Sequence, residues 1–533
     1  MTNADFAQDL LEATIPDIHN LFRKCALTPS KLVEFYLRRV QDHDLDVTSG
    51  PPFNSVVSIC PGIREQALQI DAEIAADGIS KPLQGIPIWV KDCIDVAGLP
   101  TSAGCLSLAN DPARSDAELV RALRGAGALI LGKAGMTELS RKVIGYGSLS
   151  TLIGNAYDPR SQPGGSSNGC AVAIALNFGM GAVGIDDLAS VTWPSALNNL
   201  AGFRPTVGRI DRAGVFGFSR VDTTPGPMAR TMGDLRRILE VLEGGRGEES
   251  PDSFTIAGAR IGVLETIGSL ELASRTPDSL QAAFAQRLRD LEEAGATLVR
   301  GVRLDRFQRQ RMSQYDYHNS LVRSLRRRAR APRTPHQLLH SPGTGPLCRK
   351  VPSLQRLKFT FRIPDLKSPR YRRQVRRNQN LLRSTLHAAG VDLLIAPTLV
   401  GTSWLSTLAS VPHVTVPAGF HRIAECELIP DLTPGSELPW GISVLGLPEA
   451  DRLVLDCASE LEALIQARRS PVVSEVGGSA RPPLDISAFN RWRLELAERL
   501  FGSLVLDGRG GYAHPTPDEF RRLLEPLLAE RVQ

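Results

Sequence analysis

The chain has 533 residues, of which 42% are hydrophobic and 22% are charged, a composition typical of an ordinary globular protein with a large core. It contains no run of about 18 uncharged apolar residues, and its N-terminus carries acids where a signal peptide would carry Lys or Arg. These features argue against a membrane protein and predict a cytoplasmic one.

The formal net charge of +5 is unevenly distributed along the chain. Residues 321–383 hold eighteen Lys and Arg but one acid, Asp365, so this segment carries +17 and the remainder −12. Its Pro and Ser breaks predict short basic helices in a mobile lobe spanning about residues 300–385. Such a lobe is typical of a solvated face or of a docking site for an acidic protein partner. We do not expect nucleic acid there, because aromatic residues are few and no recognition motif is present.

The eight cysteines are scattered, at positions 25, 60, 93, 105, 170, 348, 426 and 457. No Cys-x-x-Cys pair or Cys/His cluster occurs, so the sequence predicts neither disulfides nor a metal site. Cys93 and Cys170 are interpreted as buried apolar side chains rather than reactive thiols. The glycine-rich loops lack the phosphate-binding patterns of nucleotide enzymes, and we therefore expect no cofactor.

Residues 1–84 are predicted to form helices that pack on the core. Thr28 and Pro29 form a helix-start pattern, and apolar residues at helical spacing follow it and recur between Gly62 and Asp77. Strands and helices then alternate from Gly85 onward.

The first alternating segment reads as a βαβ unit. Ser115 and Glu118 have the spacing of a capping box, Gly125 or Gly127 ends the helix, and a strand at residues 128–131 follows. The expected fold class is α/β, with a large mixed β-sheet core covered by helices on both faces.

Later elements continue this pattern. We expect helices at residues 230–242, 279–295 and 450–466, and strands at residues 260–264, 391–397 and 414–419. A linker follows, and residues 484–533 form a small helical extension that serves as packing, a lid or a partner-docking piece. The expected regions are an N-terminal helical region, an α/β core that includes the basic lobe, and the linker with its extension, at residues 1–84, 85–466 and 467–533.

Three candidate catalytic residues lie at strand ends or in a polar loop. Lys91 closes the predicted strand at residues 86–90, and Ser190 lies just beyond the strand at residues 180–185. Ser166 lies in the loop GGSSNG, which opens an apolar helix. Because open α/β sheets place their chemistry at strand ends, we expect the two hydroxyls to meet at one edge of the sheet.

Three segments are distinctive: GIPIWVKDCIDVAGLPTSAG, GGSSNG and GIDDLASVTWP. Together they resemble the amidase signature family, and further ordered matches cover most of the chain between Gly85 and Pro448. Members of that family use a Ser-cisSer-Lys triad. The resemblance implies that Lys91 is the base, Ser166 the bridging cis-serine and Ser190 the nucleophile.

The residue types agree with that chemistry. All nine histidines lie outside residues 44–317, so a Ser-His-Asp triad is not expected. A lysine can act as the base if burial lowers its pKa from about 10.4, and Lys91 ends an apolar strand. By analogy with the family, Lys91 takes a proton from Ser166, which takes one from Ser190, and Ser190 attacks an amide carbonyl to form an acyl-enzyme.

The turn before Ser190 departs from the family's Thr-Gly-Gly-Ser. A positive φ at Leu188 or Ala189 would cost roughly 1–2 kcal/mol, and Asp187 places a negative charge near the developing oxyanion. Trp89 and Trp193 either wall the acyl pocket or pack in the core. The implied oxyanion and substrate-binding residues are Asp187, Leu188, Ala189, Gly165 and Ser167.

Two classes of function remain open. The first is a hydrolase that cleaves the carboxamide C–N bond of a small molecule. The second is an amide-forming or acyl-transfer enzyme supplied by a partner, or a catalytically reduced homologue, because of the altered turn and the basic lobe. A homodimer is compatible with either. Ser167 also centres a Gly-x-Ser-x-Gly pattern, but prolines at 159 and 163 occupy the place of the strand that this motif needs.

Overall fold

Apolar runs form the strands of one large β-sheet in this chain. The computed structural model describes residues 10–46, 51–140, 145–245, 254–309, 314–330, 332–344, 368–423, 435–473, 482–506 and 521–526. The strands are β1 Val56–Ile59, β2 Pro87–Lys91, β3 Leu129–Ala134, β4 Tyr146–Gly147, β5 Thr151–Leu152, β6 Gly181–Asp186, β7 Ala201–Arg204, β8 Thr224–Ala229, β9 Arg260–Ile267, β10 Leu270–Glu271, β11 Thr297–Leu304, β12 Leu393–Pro397, β13 His413–Arg422 and β14 Glu437–Leu445.

The main sheet is mixed, as the sequence predicts. Its order is β1-β3-β2-β6-β8-β7-β13-β14-β12-β9-β10, with β11 pairing β9, and β4 and β5 form a separate ribbon. Strand β2 is parallel to both β3 and β6, whereas β6 and β8 are antiparallel. Every residue of β2, β3 and β6 is buried, so both faces of the sheet are covered at its centre.

Helices pack against the strands of the sheet. They are α1 Ile15–Arg23, α2 Pro29–Arg39, α3 Ile63–Asp77, α4 Glu118–Gly125, α5 Asn168–Ala175, α6 Thr192–Leu197, α7 Met232–Leu242, α8 Asp278–Glu293, α9 Gln314–Arg326, α10 Pro335–His340, α11 Ser368–Ala389, α12 Ser403–Ala409, α13 Asp451–Ile465 and α14 Ile486–Leu506. Within the ranges given above, none of these helices combines the length and apolarity that crossing a bilayer requires.

Two predicted helix starts have different outcomes. Thr28 caps α2, where its hydroxyl accepts the Lys31 N–H at 3.3 Å, as predicted. The capping box at Ser115 and Glu118 is wrong, because α4 begins after Ala117 without a side-chain cap. The Glu118 carboxylate instead pairs with Arg121 on the same helix, and the neighbouring Asp116 carboxylate accepts the N–H of Ala97 at 2.8 Å.

The prediction that residues 1–84 are wholly helical is wrong at β1. This short strand is antiparallel to β3, with Val56 opposite Ala134 and Ile59 opposite Gly132. Four residues at the edge of a sheet give no usable alternation of apolar and polar side chains. The strand therefore depends on pairing with β3, a contact between distant parts of the chain.

The basic segment was predicted to contain short helices, and this is wrong for α11, which has 22 residues. Its buried side chains Tyr371, Leu382 and Leu386 are few but share a face that packs in a second apolar cluster with residues of β9, β11 and β12. The Asn378 amide adds hydrogen bonds of 3.0 Å to the carbonyl oxygens of Gln308 and Leu408. The middle of the basic segment, residues 345–367, lies outside the described residues.

The C-terminal helix α14 covers the free edge of the sheet. The Asn490 side chain accepts the N–H of Ile59 at 2.8 Å and donates to its carbonyl at 2.7 Å, as a neighbouring strand would. Arg493 is buried close to the Asp44 carboxylate, and its burial lowers its pKa to about 10. These contacts favour packing as the role of this helix.

Replacing Asn490 tests that role. Asn490→Ala leaves both polar backbone groups of Ile59 without partners, so we expect the free energy of unfolding to fall by about 2 kcal/mol in urea unfolding experiments. Glu495→Ala, at an exposed position of α14, is the control and should change it by less than about 0.5 kcal/mol. Equal effects of the two substitutions would contradict an edge-covering role for α14.

Candidate active site

The site lies where parallel strands β2 and β6 end side by side. Lys91 is the last residue of β2, and β6 ends at Asp186, four residues before Ser190. The loop that carries Ser166 leads into α5, which begins at Asn168. The fold therefore brings three segments that are distant in the chain to one edge of the sheet.

The three predicted catalytic side chains form a continuous hydrogen-bonded line. Lys91 Nζ lies 2.7 Å from Ser166 Oγ, and Ser166 Oγ lies 3.0 Å from Ser190 Oγ. The peptide bond between Gly165 and Ser166 is cis. A proton can pass along this line from Ser190 to Lys91 in two short transfers.

The environment of Lys91 disfavours its charged form. The side chain is fully buried, and Nζ also donates to the Ile185 carbonyl at 3.2 Å and lies 5.6 Å from the centre of the Phe218 ring. Burial lowers the pKa of Lys91 from its ordinary value, while the carboxylates of Asp186 and Asp187 act in the opposite direction. The lowered pKa favours an amine that can accept a proton.

Ser167, which the family resemblance implies as an oxyanion or substrate residue, contacts both Ser190 and the end of β6. Its N–H donates to the Ser190 carbonyl at 3.1 Å, and its hydroxyl contacts both backbone groups of Ile185, at 3.3 and 3.4 Å. The Ser166 carbonyl in turn accepts the N–H of Thr137 at 3.2 Å. These bonds fix the hydroxyls of Ser166 and Ser190 relative to each other.

The turn before Ser190 is organised by a buried ion pair. Asp186 accepts the Val191 N–H at 2.8 Å and an Arg204 N–H at 2.7 Å, and both charged side chains are completely buried. Ala189 has φ 64°, so the altered turn does place a non-glycine residue in the left-handed region. This conformation costs about 1–2 kcal/mol, which the surrounding packing must offset.

Backbone donors for an oxyanion are available in this turn. Within the part of the chain that the structure describes, the N–H groups of Leu188, Ala189 and Ser190 donate no hydrogen bond to a protein acceptor. The Asp187 side chain is buried and accepts the Thr223 hydroxyl at 3.0 Å. Gly165 precedes Ser166 across the cis peptide bond. Unpaired N–H groups beside a nucleophile are the usual components of an oxyanion hole.

Trp89 and Trp193, the two tryptophans that the sequence places near the site, are both buried in the structure around it. Trp89 is fully buried in β2, and its indole N–H donates to the Phe178 carbonyl at 2.8 Å. Trp193 is nearly as buried and lies against Gly164, where an added Cβ would come within 3.0 Å of the indole ring. Core packing accounts for Trp89, whereas the indole N–H of Trp193 has no hydrogen-bond partner among the described residues.

The thiols near the site are buried and disfavour the thiolate form. Cys93 and Cys170 are fully buried, and burial raises the pKa of each to about 12. Across the described residues, no group of three or more His, Cys, Asp or Glu side chains is arranged to hold a metal ion.

Three contributors to the site have no signal in the sequence. The Ser140 hydroxyl lies 2.8 Å from that of Ser166. Tyr317, on α9 of the basic lobe, donates to the Leu139 carbonyl at 2.9 Å and packs edge-on against Phe218, which faces Lys91. Nothing in the local sequence marks these residues, because their neighbours come from distant segments. Tyr317 thus connects the basic lobe to the aromatic ring that faces Lys91.

The sheet, the cis peptide bond and the amine–hydroxyl line define an amidase-signature fold. The chain belongs to the Amidase family, which matches residues 31–455. It is 32% identical over 303 residues to mandelamide hydrolase of Pseudomonas putida, covering 55% of this chain and 57% of that protein. It is 35% identical over 256 residues to a glutamyl-tRNA(Gln) amidotransferase subunit of Deinococcus radiodurans, covering 46% and 52%. The chain spans little more than half the length of these relatives.

Solved structures resemble the chain over a greater length. Native peptide amidase from Stenotrophomonas maltophilia is 26% identical with a TM-score of 0.72, covering 87% of this chain and 99% of that one. An amidase family protein from Bacillus anthracis, 24% identical, superimposes with a TM-score of 0.75 over 88% and 94% of the two chains, and shows the same fold. The predicted family and fold class are confirmed.

Replacing the buried amine tests its ionisation. Because burial lowers the pKa of Lys91, the unfolded chain binds a proton that the folded chain lacks at pH values between the folded pKa and about 10.4. This group therefore makes the wild-type free energy of unfolding rise with pH by up to about 1.4 kcal/mol per unit. Lys91→Met should lack that rise. Urea unfolding of wild type and Lys91→Met across this pH range measures the difference in slope.

Lys133 provides a control with equal burial and a different partner. Its amine is completely buried but lies 3.8 Å from the Asp92 carboxylate. Lys133→Met should lower the free energy of unfolding because it leaves the Asp92 charge without its cation. Parallel pH curves for wild type and Lys91→Met would mean that Lys91 stays charged in the folded chain.

Proposed function

We propose that this chain is an amidase-type hydrolase that cleaves the C–N bond of a small-molecule carboxamide through an acyl-enzyme on Ser190. The observation that carries the proposal is the unbroken line from the buried Lys91 amine through Ser166 to Ser190, with contacts of 2.7 and 3.0 Å. A serine hydroxyl needs a base to become nucleophilic, and burial of Lys91 supports an amine in the base form.

In the first step Ser190 Oγ attacks the carbonyl carbon. Its proton moves to Ser166 Oγ, while the proton of Ser166 moves to Lys91 Nζ and makes it an ammonium. The carbonyl π electrons move to the oxygen. When the intermediate collapses, the C–N bond breaks and the leaving nitrogen takes a proton from Ser166, which regains one from Lys91. Water then attacks the ester by the same proton path and releases the acid.

The turn before Ser190 supplies the electrostatic part of the proposal. The unpaired N–H groups of Leu188, Ala189 and Ser190 support an oxyanion hole, in which each donor is worth on the order of 10²–10³ in rate. Asp187 opposes it, because its carboxylate is buried beside the same turn. With backbone donors stabilising the oxyanion and Asp187 opposing it, we expect hydrolysis to occur at a rate that the Asp187 charge reduces.

Acyl transfer from a partner is a second candidate, and the charge of the basic lobe favours it. Helix α11 exposes a series of arginines that suits an acidic protein delivering an acyl group. These residues are Arg370, Arg372, Arg373, Arg376, Arg377 and Arg383. The two candidates share acylation of Ser190 and differ in what resolves the ester.

Time-resolved intact-mass spectrometry with a panel of amides tests the proposal. We expect wild type to gain an acyl adduct on Ser190 and to release free acid, and Ser190→Ala to gain none. Ser195→Ala, a buried serine whose hydroxyl makes no hydrogen bond among the described residues, is the matched control and should behave as wild type. Release only on addition of an amine would support the acyl-transfer candidate. Absence of any adduct, or an adduct on Ser190→Ala, would contradict the proposal.

The charge at Asp187 should contribute to the position of the acidic limb of the pH profile. Its carboxylate raises the pKa of Lys91, so Asp187→Asn should move the acidic limb of the acylation rate to lower pH and speed acylation by weakening repulsion of the oxyanion. Asn keeps an acceptor for the Thr223 hydroxyl. Thr223→Val, which removes that bond but keeps the charge, should leave the limb in place. A shift of Asp187→Asn to higher pH would refute this assignment.

A further inference from the structure

A third hydroxyl contacts the bridging serine. Ser140 Oγ lies 2.8 Å from Ser166 Oγ, nearly as close as Lys91 Nζ and closer than Ser190 Oγ. Ser140 is itself buried and ends a short helical turn beyond β3. Ser166 thus stands at the centre of three polar partners.

Three contacts use the full hydrogen-bonding capacity of the Ser166 hydroxyl. A hydroxyl has one proton to donate and two lone pairs to accept with. For the relay in the proposed function, Ser166 must donate to the Lys91 amine and accept from Ser190. The remaining lone pair then faces Ser140, so Ser140 must be a donor. The structure has Ser166 Oγ as the donor to Ser140 Oγ, so the state that reacts reverses the direction of this bond.

We propose that Ser140 is a positioning residue whose hydroxyl orients Ser166 toward Lys91 and stabilises the negative charge that Ser166 gains as it passes its proton on. This inference rests on the proposed function. Ser140 keeps its own proton throughout, and no bond to it forms or breaks. Its donated hydrogen bond polarises Ser166 and makes it a better donor to the neutral amine.

The backbone around Ser140 holds the Ser140 hydroxyl beside Ser166. Leu139 and Ser140 both have positive φ, 50° and 53°, which is costly for residues other than glycine. The Leu139 N–H donates to Ala103 at 2.8 Å, its carbonyl accepts the Tyr317 hydroxyl at 2.9 Å, and the Ser140 N–H donates to Thr137 at 2.9 Å. Thr137 also binds the Ser166 carbonyl at 3.2 Å. The segment is thus tied to Ser166 through backbone and side chain.

Removing the Ser140 hydroxyl should shift the pKa of Lys91 in one direction. The groups that face Lys91 are the thiols of Cys93 and Cys170, the carboxylates of Asp186 and Asp187, and the Phe218 ring. None of them is altered by replacing Ser140. Since Ser140 strengthens the bond that Ser166 donates to the neutral amine, its removal favours the ammonium and raises the pKa of Lys91.

Labelling with an alkyl fluorophosphonate tests the proposal without a known substrate. Ser190 Oγ bonds to phosphorus, the P–F bond breaks, fluoride leaves, and the hydroxyl proton passes through Ser166 to Lys91. The rate of labelling at Ser190, followed by intact-mass spectrometry across pH, is compared for wild type, Ser140→Ala and Ser140→Gly. The two variants lack the same hydroxyl, but glycine accepts the positive φ that alanine does not. Loss of the hydroxyl and backbone strain are thereby separated.

We expect both variants to label about five- to ten-fold more slowly at the pH plateau, the loss of one hydrogen bond to a group gaining charge, with the acidic limb moved to higher pH. Ser148→Ala is the control, since Ser148 is a buried serine nearby that binds Leu106 and Gly343 but not the triad. It should keep the wild-type rate and limb.

Two results would overturn the proposal. Wild-type rates and an unmoved acidic limb in both Ser140 variants would show that the hydroxyl has no part in the relay, and the proposed function would stand. Slow labelling in Ser140→Ala alone, with Ser140→Gly at the wild-type rate, would assign the effect to strain. If wild type is not labelled at Ser190, or Ser190→Ala is labelled equally fast, the proposed function itself fails.

Discussion

The burial of one lysine amine is the constraint on which the rest of the site depends. An ammonium is strongly favoured in water, and only removal from solvent at the end of β2 brings Lys91 toward the neutral form. That removal requires fully buried strands on either side and a cover above, provided by Phe218 and, behind it, Tyr317 of the basic lobe. The large sheet and the lobe around it therefore favour the neutral form of the Lys91 amine.

Other unfavourable features of the surrounding chain hold the hydroxyls of Ser166 and Ser190 in position. A completely buried ion pair between Asp186 and Arg204 anchors the turn before Ser190, and Ala189, Leu139 and Ser140 occupy left-handed conformations. Each of these features is unfavourable by itself and persists because dense packing over-determines it. Their concentration within contact of one line of polar atoms is typical of a site kept rigid for proton transfer.

The sequence predicted the elements that depend on local pattern. The strands that end at Lys91 and Asp186, the cap at Thr28 and the mixed sheet follow from apolar runs, turn residues and family resemblance. Strand β1 was not predicted, because it pairs with a strand that is distant in the chain. The length of α11 was not predicted, because three widely spaced buried side chains are enough to hold a long basic helix.

The site was predictable only in part, for a related reason. The positions of Lys91, Ser166 and Ser190 were accessible from motifs, but the contact that Ser140 makes arises from two left-handed residues that no motif indicates. Ser167 lies in the same motif, and the structure adds that its N–H and hydroxyl contact Ser190 and β6. Motifs identify a segment, and only the packed fold decides which hydroxyl in it meets which partner.

The most direct measurement is the ionisation of Lys91 itself. The chain has nine lysines, so ¹³C-detected NMR of selectively labelled lysine Cε and Nζ atoms can follow each amine through a pH titration. The signal that disappears in Lys91→Met identifies the residue. We predict that this amine titrates below about 10.4, the ordinary lysine value, because burial lowers its pKa. Titration of Lys91 at the ordinary value together with the exposed lysines would contradict it.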